Sequence, residues 1–297
     1  MSATAASHEI LVISSFVVRG SVGARAGFIL ERLGHRVWTM PTIILPWHPG
    51  HGRGHRIVPA EADFAAMLSD LARAPWLSKV GAVVSGYLGA ASQAGPIADL
   101  VRAVKAANPD AIYLCDPVLG DIGSLYVPED VAKAQRDILM PLADLMTPNA
   151  FEVGWLTGGK PETMADLVAA ARTLGPRRVV VTSAPAMMRG KIATALVSPT
   201  DVIVAENRLV GEAHSGTGDL FAAQFLSALL TGRGDEEALR RAVAGTFEVV
   251  ARSVRAGAEE LDFTAHQDSI AHPVAEVDIR RWATPQKPAR RRADTAS

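Results

Sequence analysis

Short apolar, β-branched runs recur along the chain: "EILVIS", "HRVWTM", "GAVVSG", "AIYLCD", "DLMTPN" and "RRVVVTS". Each has the length and residue bias of a strand buried on both faces. Between most of them the apolar positions recur at helical spacing, over residues 93–107, 131–142 and 164–174. Strand and helix in alternation predict a mostly parallel sheet with helices on both faces. After "RRVVVTS" the rhythm changes, because "KIATALVS" and "DVIVAENRLV" are separated only by "PT". So close a pair predicts a hairpin, and with it an antiparallel edge. Two mostly apolar helices, over residues 219–230 and about 236–256, complete the expected α/β fold. No repeat and no linker interrupts the pattern, so one domain is expected over residues 9–284, with flexible ends at 1–8 and 285–297.

Composition narrows the function classes. At 297 residues and 48% hydrophobic, the chain fills a substantial core. Thirty basic side chains oppose 31 acidic ones, a net charge of −1, so no overall field draws the protein to nucleic acid or an anionic membrane. Any phosphate site has to be local, and the arginine cluster in "TPQKPARRRADTAS" reads as a solvated tail. The single cysteine, Cys115, excludes an internal disulfide framework and a cysteine-based zinc cluster, and suits a reducing, cytoplasmic setting. No apolar run approaches the roughly 20 residues that span a bilayer, and "MSATAASH" lacks the features of a signal peptide.

Candidate chemistry gathers at strand ends. Ser14 and Ser15, Ser85 and Gly86, Asp116, Thr147 and Asn149, and Thr182 and Ser183 each close a strand. Ligands of open α/β sheets bind beyond the carboxyl ends of the strands, so these residues should share one edge. "GSVGARAG" fails the dinucleotide fingerprint, since its glycines fall at 20, 23 and 27 and no acidic residue closes the second strand. A P-loop is absent as well. His48, His51 and His55 in "WHPGHGRGH" stand among Gly and Pro, which suits a loop over a ligand better than regular metal ligation. In "HSGTGDLFAAQF", Asp219 opens an apolar helix behind Gly216, Thr217 and Gly218. It reads either as a helix cap or as a base beside an anion held by first-turn N–H groups.

Taken together, "SGYLG" (85–89), "CDPVLGD" (115–121), "TPNAFEVGWLTG" (147–158), "VVVTS" (179–183) and "SGTGDLFAAQF" (215–225) resemble the pyridoxal kinase family of the ribokinase-like superfamily. The resemblance implies a ribokinase-like three-layer sandwich and transfer of the γ-phosphoryl of ATP to the hydroxymethyl group of pyridoxal. It implies Asp219 as base, Gly216, Thr217 and Gly218 as anion hole, and Ser15, Tyr87 and His48 around the acceptor. It implies Asp116, Asn149, Glu152, Thr182, Ser183 and Thr217 around ATP, with Asp116 and Glu152 organising Mg²⁺ and a monovalent cation such as K⁺ as a further expectation. A homodimer in the cytoplasm is also implied. The sequence departs from the family pattern at Phe16, Arg19, Ala24 and Pro49. Two alternatives therefore stay open: a kinase for a hydroxymethylpyrimidine-type acceptor, and a protein that binds a B6 vitamer or nucleotide without catalysis.

Overall fold

The computed structural model describes residues 8–121, 123–211 and 214–282. The ends expected at 1–8 and 285–297 lie outside the described residues, except for His8.

Eleven strands occur among the described residues: β1 (Glu9–Arg19), β2 (Arg36–Trp47), β3 (Val80–Ser85), β4 (Ile112–Cys115), β5 (Gly120–Asp121), β6 (Ser124–Leu125), β7 (Leu145–Met146), β8 (Arg178–Ala184), β9 (Lys191–Val197), β10 (Val202–Arg208) and β11 (Asp278–Arg281). The helices are α1 (Arg25–Arg32), α2 (Glu61–Ala72), α3 (Ala94–Ala107), α4 (Glu129–Ala134), α5 (Ala150–Thr157), α6 (Met164–Arg172), α7 (Thr217–Leu230), α8 (Asp235–Arg255) and α9 (Gln267–Ala271). Nine strands form one sheet in the order β11-β10-β9-β8-β7-β4-β3-β1-β2, while β5 and β6 make a separate small hairpin.

The sheet is parallel from β2 to β8. From β8 through β9 and β10 to β11 it is antiparallel. Side chains alternate between two cores, as the strand period requires. Leu11, Ile13, Val83, Val179 and Val181 face one, under α2 to α6. Ile10, Val12, Ala82, Val84 and Val180 face the other, under α1, α7, α8 and α9. This is the expected sandwich.

Three local features differ from the sequence reading. The stretch expected as one helix over 131–142 is regular only in α4, then winds through a wider, π-type turn at Gln135–Leu139 and a tight one at Met140–Leu142. Pro141 has no N–H to give to an i−4 carbonyl, so the regular ladder cannot continue there. The antiparallel edge has a further strand, β11, whose four residues pair with β10 from Ile203↔Arg281 to Glu206↔Asp278. Helix α2 was not marked by the periodicity, and only Phe64 and Leu68 of it are buried. Strand β2 tolerates Pro41 and Pro46 because it is an edge strand, where one side of the backbone needs no ladder partner.

Candidate active site

A cavity of about 770 Å³ runs along the carboxyl ends of the strands. It is lined from β1 (Ser14, Ser15, Val17) past Tyr87, Asp116, Thr147 and Asn149 to Thr182 and Ser183 of β8 and then Ile192, Thr194 and Asn207. Six strand spacings separate β1 from β10, roughly 29 Å at about 4.8 Å each, long enough for two small ligands end to end. All twelve candidate site residues line it: Ser15, His48, Tyr87, Asp116, Asn149, Glu152, Thr182, Ser183, Gly216, Thr217, Gly218 and Asp219. Of the strand-end residues, Ser85 and Gly86 do not. The Ser85 hydroxyl instead bonds Tyr113 Oη at 2.7 Å, and a Cβ on Gly86 would meet Ser14 Oγ at 2.5 Å.

Ser14 and Ser15 both face the cavity although they are consecutive in a strand. The ladder of β1 with β2 slips between Ser14 and Phe16, and such a bulge re-aims side chains. Gly23 (φ +62°) fits against this bulge, since a Cβ there would lie 2.3 Å from both Ser15 O and Ser15 Oγ. Ser183, at the far strand end, is the one non-glycine residue with positive φ (52°) among the described residues. Such backbone is uncommon and concentrates at ligand sites.

At the centre lies the start of α7. Gly216 is its capping residue, with φ 92° and no side-chain hydrogen bond, so Asp219 is the third helical residue and not the cap. The first-turn N–H groups have no helical acceptor and face the cavity end of the dipole. Thr217 is fixed by its hydroxyl, which donates to His214 O at 2.8 Å. The glycines differ in kind. A Cβ on Gly216 would lie 2.2 Å from Ser21 O, whereas one on Gly218 would meet no protein atom.

Burial pushes the Asp219 carboxyl up to about 8, with repulsion from Asp116 adding to the rise and the Gly23 and Asp219 N–H groups opposing it. The Asp116 carboxyl is pushed up by burial to about 6, against the Thr147 hydroxyl that donates to its Oδ1 at 2.7 Å. Glu152 is also held well above the carboxylate range, first by burial and then by Asp116. Its contacts are those of a capping box: Oε1 accepts the Leu119 N–H at 2.8 Å and Oε2 the Asn149 N–H at 2.9 Å. Asn149 Oδ1 returns the bond from the Glu152 N–H at 2.8 Å, and its Nδ2 donates to Gly120 O at 2.8 Å. Thus Glu152 and Asn149 shape the wall, while Asp116 and Asp219 are the freer carboxylates. Among the described residues no group of three or more His, Cys, Asp or Glu side chains is placed to hold a metal ion.

The acid cluster carries a stability cost with a definite sign. Asp116 binds its proton more tightly folded than unfolded, so stability falls as pH rises from about 4 through about 6. The full penalty, about 3 kcal/mol, is present above that window. Asp116→Asn keeps the Thr147 bond and removes the charge. Its melting temperature should exceed the wild type's by several degrees at pH 8, with the gain vanishing toward pH 4. A gain independent of pH would refute this account.

The comparisons with known proteins agree with the geometry. The phosphomethylpyrimidine kinase family model matches residues 68–263. The pyridoxal kinase PdxY of Rubrobacter xylanophilus is 36% identical over 283 residues, 93% of this chain and 98% of that protein. The PdxY of Leifsonia xyli is 35% identical over 282 residues, covering 92% and 99%. A solved pyridoxal kinase from Leishmania donovani, in complex with ADP and pyridoxamine, superposes with a TM-score of 0.86 at 25% identity, covering 93% of this chain and 99% of that one. The chain belongs to the phosphomethylpyrimidine kinase family, among its pyridoxal kinases.

Within the pyridoxal kinase pattern, three of the four departures lose their bearing on the acceptor. Phe16, Arg19 and Ala24 do not line the cavity, and only Pro49 does. Arg19 instead pairs with Glu259 at the surface. Two arginines do line the cavity, Arg208 and Arg56, and Arg56 Nη2 donates to Tyr87 Oη at 3.0 Å. Sequence reasoning missed Arg56, although the signal was present in "GRGHR". It also missed Val243, Thr246, Phe247 and Val250, which give the cavity an apolar wall from α8.

Proposed function

We propose that this protein is a pyridoxal kinase, moving the γ-phosphoryl group of ATP to the hydroxymethyl oxygen of pyridoxal and so forming pyridoxal 5′-phosphate for vitamin B6 salvage. One observation carries the reading: a partly buried Asp219, its carboxyl raised to about 8 by desolvation, sits beside the open N–H groups of a helix start, inside a groove long enough for both substrates. A binding protein has no use for that pairing. Asp219 takes the hydroxymethyl proton, the oxygen attacks the γ-phosphorus, and the bond to the leaving ADP oxygen breaks. The N–H groups of Gly216, Thr217 and Gly218 stabilise the charge on the moving phosphoryl. Ser15, Tyr87 and His48 hold the acceptor, and Thr182, Ser183 and Asn149 border the nucleotide.

The donor set suits Mg²⁺ that arrives with ATP. Magnesium keeps several waters and takes one or two carboxylates together with substrate phosphates, so Asp116 with Glu152 behind it is sufficient and a closed protein cage is not needed. When bound it neutralises phosphate charge. A monovalent cation such as K⁺ belongs to the same proposal, and Mg²⁺ and K⁺ titrations of activity read both. A homodimer is proposed from the β1–β2 arm. The two strands stay paired to Arg19↔Trp47 after β3 has ended at Ser85, leaving Phe16, Val18, Trp47 and Ile57 exposed. Light scattering that returns the mass of one chain would remove that part. A cytoplasmic setting fits the single buried thiol of Cys115. Among the described residues no helix is long and apolar enough to cross a membrane.

The test is incubation with ATP, Mg²⁺ and a panel of pyridoxal, pyridoxine, pyridoxamine and a hydroxymethylpyrimidine. ADP release should be fastest with a B6 vitamer. Preference for the pyrimidine would transfer the assignment to that acceptor class, and no release with any compound would leave only binding.

The acceptor end makes its own prediction. Arg56→Ala should raise KM for pyridoxal roughly fivefold, the loss of about 1 kcal/mol for one hydrogen bond. Arg19→Tyr should leave it within about twofold, since that side chain lies outside the cavity. The reverse ranking would mean that Arg19 reaches the acceptor after all.

A further inference from the structure

The kinase reading leaves one half-buried cluster without a role. Glu260 follows α8, far in sequence from the residues it meets, and its side chain is only 17% exposed. Its Oε1 lies 2.7 Å from His51 Nε2, on the loop that brings His48, Pro49 and Gly50 to the cavity. Its Oε2 accepts the Ser21 hydroxyl at 2.8 Å and the Ser21 N–H at 3.3 Å. Ser21 is buried, and its Oγ also lies 2.8 Å from Ser215 O. One hydroxyl proton cannot serve both acceptors, but the N–H holds Glu260 in either case. Gly216 in turn packs directly on Ser21 O. A weaker link joins Ser215 Oγ to His48 Nδ1 at 3.4 Å. No residue of the turn Pro49–His51 is buried, so packing does little to hold that loop down.

We infer that Glu260 is a positioning residue: it fastens the His48–His51 loop over the acceptor end of the groove and ties it, through Ser21, to the phosphate-facing start of α7. The inference rests on the kinase reading. Loop closure and anion-hole assembly are then one event, because the same carboxylate reaches both. Closing a site before phosphoryl transfer excludes water. With the tie cut, water replaces the acceptor oxygen at the γ-phosphorus and gives ADP and inorganic phosphate. The hydrogen bonds of Glu260 go to His51 and Ser21 and to none of the β9, β10 and α8 residues that line the other end of the groove.

Two readouts on the full-length protein test this. The first is limited trypsin digestion without substrates, following cleavage after Arg53 and Arg56. Glu260→Ala should speed it about tenfold, and Glu260→Gln, which keeps hydrogen-bonding partners for Ser21 and His51, should restore most of the protection. The second is kinetics with ATP, Mg²⁺ and pyridoxal. Glu260→Ala should raise KM for pyridoxal at least tenfold, leave KM for ATP within about twofold, and release more than one ADP per pyridoxal 5′-phosphate formed. Unchanged digestion, or equal rises in both KM values with a matching fall in melting temperature, would overturn the inference. Digestion needs no turnover, so an inactive wild type would end the kinase reading while leaving the loop test readable.

Discussion

Replacing Asp219 by Asn is expected to lower kcat by at least the roughly 10²–10⁴-fold typical of a lost general base, while leaving the nucleotide bound. Stability should move the other way. Desolvation at the groove wall raises the carboxyl from 3.8 to about 8, so the folded protein favours its protonated form. Stability therefore falls as pH climbs from about 4 through about 8, and Asn abolishes that fall. A variant that melts higher at pH 8, matches the wild type near pH 4 and has lost catalysis would display the cost of holding a base in a dry site. Retention of more than half the wild-type kcat would remove Asp219 from the mechanism.

Gly218→Val should abolish most transfer and spare the fold, whereas Gly216→Ala should cost stability as well as transfer. At Gly218 a side chain finds open space on the protein side, and that space is the cavity itself. Branched carbons there crowd donors that must approach phosphate closely. At Gly216 a Cβ would be forced onto Ser21 O at 2.2 Å, with φ at 92°, so the turn must give way before any ligand arrives. The expected results are a loss of roughly 10²-fold or more in kcat with an unchanged melting temperature for Gly218→Val. For Gly216→Ala stability should drop by about 1–3 kcal/mol of strain, with a clear fall in melting temperature. If Gly218→Val loses activity only as far as it loses folded protein, the anion-hole role fails.

Much of this site was legible in the sequence because fold and chemistry share one rule. Parallel strands deliver their ends to one edge, so polar residues at Ser15, Asp116, Asn149 and Thr182 converge without any contact being known in advance. The antiparallel hairpin was equally plain from the short "PT" connection. Strand β11 was not, since "DIRR" is short, charged and unlike a core strand, and gains its place only by pairing with β10. Arg19 drew attention only as a departure from the family pattern, and it meets Glu259 at the surface. The α8 wall was invisible for another reason: Val243 and Val250 are spaced as any core-facing residues are, and periodicity does not tell a core from a cavity. The choice between cap and base at Asp219 needed backbone geometry, which put Gly216 in the capping position. Glu260 needed the folded chain itself, because its partners lie 209 and 239 residues away.

Phosphorus NMR of the wild-type protein turning over ATP, Mg²⁺ and pyridoxal tests the central claim most directly. The account predicts a phosphate monoester on the hydroxymethyl oxygen of pyridoxal, appearing in step with ADP, and its disappearance with Asp219→Asn. ADP accompanied only by inorganic phosphate, or the same monoester formed at an undiminished rate by the Asn variant, would contradict it.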